Sequence, residues 1–201
     1  MSLSLLPRAI SLVVAAGILT ACTPQPEQEE LADVSTTSTS ADGSASESVV
    51  ASAVPVDTLP HVERGTNEAC PYLDTQFVAD TNGQRMTDQG VDHSFDTPAC
   101  VFYSYPDEPQ AVVMVRNMGS FDEAMQVVDF AAPIDSTSPA EFSTDAGDWS
   151  GGRGPVTDSP TGAGSVYAVG KDSTAVVVWS NQEQSVKAET LAHQVIANLG
   201  L

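Results

Sequence analysis

Apolar residues recur along this chain in short runs rich in β-branched and aromatic residues, the pattern of strands. Ala99–Tyr105 ("ACVFYSY") and Gln110–Met118 ("QAVVMVRNM") are joined by the turn "PDEP", which predicts a hairpin. Ser165–Val169 ("SVYAV") and Thr174–Ser180 ("TAVVVWS") predict a second one across "GKDS". Val112 to Val115 is apolar without alternation, so that strand needs cover on both faces and belongs centrally in its sheet. Tyr103 and Tyr105 alternate onto one strand face and are expected in the core.

Elsewhere the period changes to that of helices. After Cys70, "CPYLDTQFVADTNG" has Pro71 at a tolerated first position, Leu73 and Phe77 one turn apart, and Asn82-Gly83 as a left-handed stop. Ser120 and Glu123 form a capping box, Phe121, Met125, Val128 and Ala132 share a stripe, and Pro133 ends the helix. From about Ser185 a last helix aligns Leu191, Ala192, Val195, Ile196 and Leu199 before Gly200, with His193 opposite that stripe and therefore solvated. The order predicts an α+β domain, an antiparallel sheet with helices packed on one face. Between Pro133 and Gly164 the pattern lapses for longer than a quiet connection allows. That stretch either hides a short strand near Val156 or is a surface loop with a function.

The N-terminal end has a different character. Ala9–Leu19 is uncharged and nearly all apolar or small, and Arg8 is the only charge before it. As a helix it would span ~16 Å, about half a bilayer's hydrocarbon core, which fits a secretory leader and not a membrane span. Leu19-Thr20-Ala21-Cys22 resembles the lipobox of bacterial lipoproteins. The resemblance implies that residues 1–21 are a cleaved signal peptide. Cys22 then carries palmitate-type acyl chains and anchors the chain to the outer face of the cytoplasmic membrane, where two chains hold stably and one would not.

From Thr23 to about Pro60 there is no aromatic residue and no Lys or Arg, but a dense run of Ser and Thr. Such a segment buries too little apolar surface to offset its ordering entropy. Residues 22–62 are therefore expected to be a disordered tether, and 63–201 a single folded domain. Removal of 1–21 leaves 27 acidic side chains against six basic ones, and the six bases face 20 acids within 61–201. That balance excludes nucleic acid as a partner and argues against docking on anionic lipid.

Cys70 and Cys100 remain as an even pair in an exported chain, so a disulfide is the default expectation. A metal site would need clustered spacing, which His61, His93 and His193 do not supply. His93 with Asp92 and Asp96 in "VDHSFD" is better taken as a solvated loop than as a ligand set. "DTNGQ" lacks the later positions of a calcium loop, and no GxSxG or phosphate loop is present. No catalytic residue, metal ligand or cofactor site is assigned, and an enzyme is not expected. "GDWSGGRG" is the remaining place for a ligand contact: Trp149 could stack on a sugar or peptide that Arg153 hydrogen-bonds. The competing reading has Trp149 tucked onto the sheet as an anchor.

"ACPYLD" paired with "ACVFYSYP", the "SFDEAMQVVD" helix and the closing "VVVWSNQEQSVKAETLAHQVIANL" resemble corynebacterial cell-envelope lipoproteins, an actinobacterial family of unknown function. The strand–strand–helix ending also resembles Mog1/PsbP-like folds. The likeness of fold implies a non-enzymatic binding or assembly role. With the anchor, the tether and the lack of a catalytic constellation, the expectation is a monomeric binding or scaffolding module whose partner is an envelope protein or a small ligand. The rival expectation is a carrier of a lipid or other envelope metabolite.

Overall fold

A sheet whose inner strands are apolar on both faces can exist only between two layers of cover. The computed structural model describes residues 54–201. In chain order the elements are α1 (Thr75–Asn82), β1 (Asp88–Asp92), β2 (Thr97–Tyr103), β3 (Pro109–Asn117), α2 (Phe121–Ala131), β4 (Ser138–Thr144), β5 (Gly147–Val156), β6 (Gly164–Lys171), β7 (Thr174–Ser180) and α3 (Ser185–Leu199). The strands form one seven-stranded sheet in the order β1-β2-β3-β7-β6-β5-β4. Every neighbouring pair is antiparallel. Both predicted hairpins are present, and β3 lies inside the sheet as its apolar run requires.

The α+β class and the antiparallel sheet agree with the sequence pattern, but the helices lie on both faces of the sheet. Val113, Val176, Val178 and Tyr167 turn toward α3, while Tyr72, Leu73 and Val78, around α1, join the same core. Their neighbours in sequence, Val112, Met114, Val177, Ala168 and Trp179, turn to the other face and meet α2. Strands of period two that are apolar at every position have two core faces to satisfy, and one helical layer cannot cover both.

Three helices do not complete that cover, and the segment 54–66 supplies what is missing. Val54, Val56 and Val62 of this strap pack into the core on the α2 face. The Arg116 guanidinium, only 6% exposed, donates hydrogen bonds to the carbonyls of Val54 and Pro55 and lies 5.4 Å from the Phe95 ring centroid. The Tyr103 hydroxyl donates to the Val62 carbonyl, and Arg64 donates to the carbonyl of Ser104 at 2.6 Å. Residues 54–62 are thus part of the fold, and a domain start at 63, set by composition, falls too late. The leader, Cys22 and the rest of the tether lie outside the described residues.

Other boundaries also move. Helix α1 begins at Thr75 and not at Pro71, because Asp74 is its cap: the carboxylate accepts the Phe77 N–H at 2.9 Å. Gly83 provides the left-handed stop at φ 69°. In α2, Ser120 accepts the Glu123 N–H at 3.2 Å, and Glu123 reaches back to the Gly119 N–H at 2.8 Å. Its buried stripe is Ala124, Val127, Val128 and Ala131, rotated from the predicted one, so Phe121 is left outside. Tyr105 is also exposed, since β2 ends at Tyr103.

Strand β1 escaped the sequence pattern because only Val91 in "DQGVD" is apolar. Gly90 at its centre lets the strap cross it, since a Cβ there would run into Val62 Cγ1. Of the two readings of 133–164, the hidden strand is correct, and there are two, β4 and β5, paired as a hairpin. Cys70 and Cys100 are joined, with Cα atoms 5.6 Å apart, stapling the chain before α1 to β2. Replacing both (Cys70→Ser, Cys100→Ser) is expected to lower stability by ~3 kcal/mol through the freed denatured chain. Urea unfolding of the two proteins tests this, and coincident midpoints would refute it.

Candidate functional site

Trp149 and Arg153, four residues apart on β5, share the face turned toward α3. Trp149 is 1% exposed and belongs to the core. The Lys171 ammonium lies 5.2 Å from its ring centroid, and its indole N–H has no acceptor among the described residues. Arg153 pairs across the sheet with Tyr167 and donates to Glu189 on α3 at 2.6 Å. Trp149 is the sheet anchor of the competing sequence reading, and Arg153 already has a carboxylate partner.

The glycines beside them have a packing reason. Gly151 would drive a Cβ into the Ala168 carbonyl oxygen of β6, and Gly152 faces Ala132 and Thr137 at the end of α2. What looked like a glycine-rich loop is a strand brought close to its neighbours. Gly151→Ala is expected to cost ~3 kcal/mol by overpacking against backbone that cannot yield. Denaturant unfolding of the variant checks this, and a loss within experimental error would contradict it.

His193, expected to be solvated, is half-buried. Its ring stacks on Phe142 of β4 with centroids 3.7 Å apart and planes at 16°. Its Nε2 lies 3.2 Å from the Tyr167 hydroxyl, itself buried and pushed up to about 12 by burial and, to a lesser degree, by Glu189. Burial lowers the His193 pKa and Glu189 opposes that shift. The stripe on α3 marked the apolar face, but the β4–β5 hairpin reaches round to the flank. Nothing in the helix period signalled Phe142.

This cluster sets a pH dependence. The folded state holds His193 below its unfolded pKa of ~6.5, so it binds fewer protons than the unfolded chain. The stability this contributes is fully present above that value and is lost as pH falls through the folded pKa. His193→Phe should keep the stack on Phe142 and flatten the unfolding midpoint between pH 7.5 and pH 5, as ~pH 6.5 lies between them. An unchanged slope would assign the dependence to other groups.

The remaining sequence candidates are spent on local structure. Asp92 accepts hydrogen bonds from the His61 N–H and from the Ser94 N–H and hydroxyl. Burial pushes its carboxyl up, but those donors outweigh burial and hold it below the usual range. His93 pairs with Glu68 at 2.9 Å on the surface. Among the described residues, no three His, Cys, Asp or Glu side chains converge as metal ligands.

The concave surface with apolar walls lies at the opposite side of the sheet. One cleft of about 350 Å³ is lined by Leu59, Val62, Tyr103, Asp107 and Pro160, among others. A second, of about 340 Å³, is lined by Leu59, Phe130, Asp158, Pro160 and Trp179. Leu59 and Pro160 line both, so the two clefts adjoin and are described together as a groove. Its walls are the strap, the C-terminal end of α2 and the β5–β6 loop, with Trp179 of β7 behind them. Sequence reasoning missed it because Leu59 fell within the presumed tether. The available signal was the return of apolar residues at Val54, Val56, Leu59 and Val62 after the Ser/Thr tract.

A search of curated proteins finds no match to this chain. A family model, described as a domain of unknown function (DUF2020), matches residues 54–201. Its start coincides with the first described residue of the strap. The match covers most of the chain, which belongs to the DUF2020 family.

Proposed function

We propose that this chain is a lipid-anchored, non-enzymatic binding or scaffolding module on the outer face of the cytoplasmic membrane. The observation that carries the binding role is the groove at Leu59 and Pro160, where Leu59, Phe130 and Pro160 form apolar walls open to solvent. The Cys70–Cys100 disulfide supports an oxidising compartment. Leu19–Cys22 supports the anchor, and no described helix is long and apolar enough to cross a membrane. A tether of Ser/Thr-rich sequence from Cys22 to the strap would let the domain search for a partner while staying attached.

The rival reading, a carrier of a lipid or other small envelope metabolite, draws on the same groove. Its clefts match the lower end of the ~300–1,000 Å³ of small-ligand sites. They are open at the surface, whereas a carried lipid needs its chains enclosed. A scaffold therefore fits better.

Cell fractionation tests the address. The native protein is expected in the membrane fraction and open to protease added outside the cell, and Cys22→Ser should release it. Native mass spectrometry of the released protein separates the two roles. A bound protein supports the module, and a bound lipid mass would transfer the role to the carrier.

A further inference from the structure

Resting on the reading of the domain as a binding module, we infer that the groove at Leu59 and Pro160 docks an extended, cationic segment of a protein partner that alternates basic with apolar side chains. Three observations select this occupant.

The first is the apolar floor. Leu59 and Phe130 keep 42% and 41% of their surface in solvent while facing a cleft backed by the buried Trp179. Exposed apolar patches bounded by polar residues mark contact sites more often than chance.

The second is the sign of the charge around that floor. Asp107 lines one cleft and Asp158 the other, and Glu108 reaches to within 3.9 Å of where a Cβ on Gly162 would stand. The C-terminal end of α2, which carries the negative end of its helix dipole, has no basic residue in its last turn.

The third is that the acids of the rim outnumber the bases beside it. Arg64 lies over the Tyr103 ring of one cleft and donates to the Ser104 and Pro106 carbonyls, and His61 lines the same cleft, while Arg116 is held by the strap carbonyls and Arg153 by Glu189. Asp107, Glu108 and Asp158 against Arg64 leave the rim net negative, which favours a positive partner and disfavours an anionic lipid surface. Two adjoining clefts offer two seats for apolar side chains, and on an extended segment, whose side chains alternate sides, the basic residues between them face the acidic rim.

The test is a fluorescence titration of the full chain in neutral-lipid nanodiscs. Trp179 serves as reporter, since the chain has one other tryptophan, Trp149, on the far face. The probe is a synthetic peptide of alternating Lys and Leu, and its controls are the Glu/Leu counterpart and anionic vesicles. The basic peptide should shift the emission saturably, and Leu59→Asp and Phe130→Asp should each weaken it about tenfold or more, as loss of a buried anchor does. Phe121→Asp, at the other end of α2, should leave it unchanged, and unfolding midpoints confirm that the variants fold. Equal binding of the acidic peptide, binding of vesicles in place of peptide, or unaltered affinity in both groove variants would each overturn the inference. Cross-linking in the native envelope reads the binding module separately, because it captures a partner wherever it docks.

Discussion

The fold depends on covering both faces of a sheet whose inner strands have no polar side. β3, β6 and β7 carry apolar residues at consecutive positions, so each strand contributes side chains to two cores at once. At ~25 cal/mol for each Å² of apolar surface removed from water, leaving either face bare would cost more than a domain's whole stability. α3 and α1 cover one face, and α2 covers part of the other. The rest falls to the strap, which has no regular structure to satisfy its own backbone. Side chains take that role: Arg116 and Tyr103 donate to its carbonyls, and its own Arg64 donates to the Ser104 carbonyl. Burial lowers the Arg116 pKa, yet the guanidinium stays because carbonyl oxygens and the Phe95 face replace its water.

The groove is a consequence of that arrangement. A helix in the strap's place would fill the gap beside α2 with its own side chains. An extended strap leaves space on either side of Leu59, and the β5–β6 loop closes over it with Pro160. The groove and the cover of the core are thus made by the same residues.

The opposite flank shows the other use of polar residues. Arg153, Glu189, Tyr167 and His193 form a chain of contacts at the edge of the α3 core, capped by Phe142. Its contacts fix α3 to β5 and β6. Burial of the histidine there lowers its pKa, and Glu189 opposes that shift.

The chain alone determined what depends on near neighbours. Both hairpins, the Ser120 cap, the stops at Gly83 and Gly200, and the buried stripe of α3 follow from turn chemistry and from the periods of strand and helix. The even cysteine pair predicted the bridge. What the chain did not reveal depends on distant partners. β1 and β4 are polar edge strands, identified only by the strands they pair with. The strap looks like tether until Arg116, far along the sequence, donates to its carbonyls. Trp149 and Arg153 looked like a ligand loop because the α3 surface that takes them up lies beyond any local pattern. Short-range periodicity records which face of an element is buried. Only the packed tertiary structure decides what lies against that face, and which apolar residues are left in solvent.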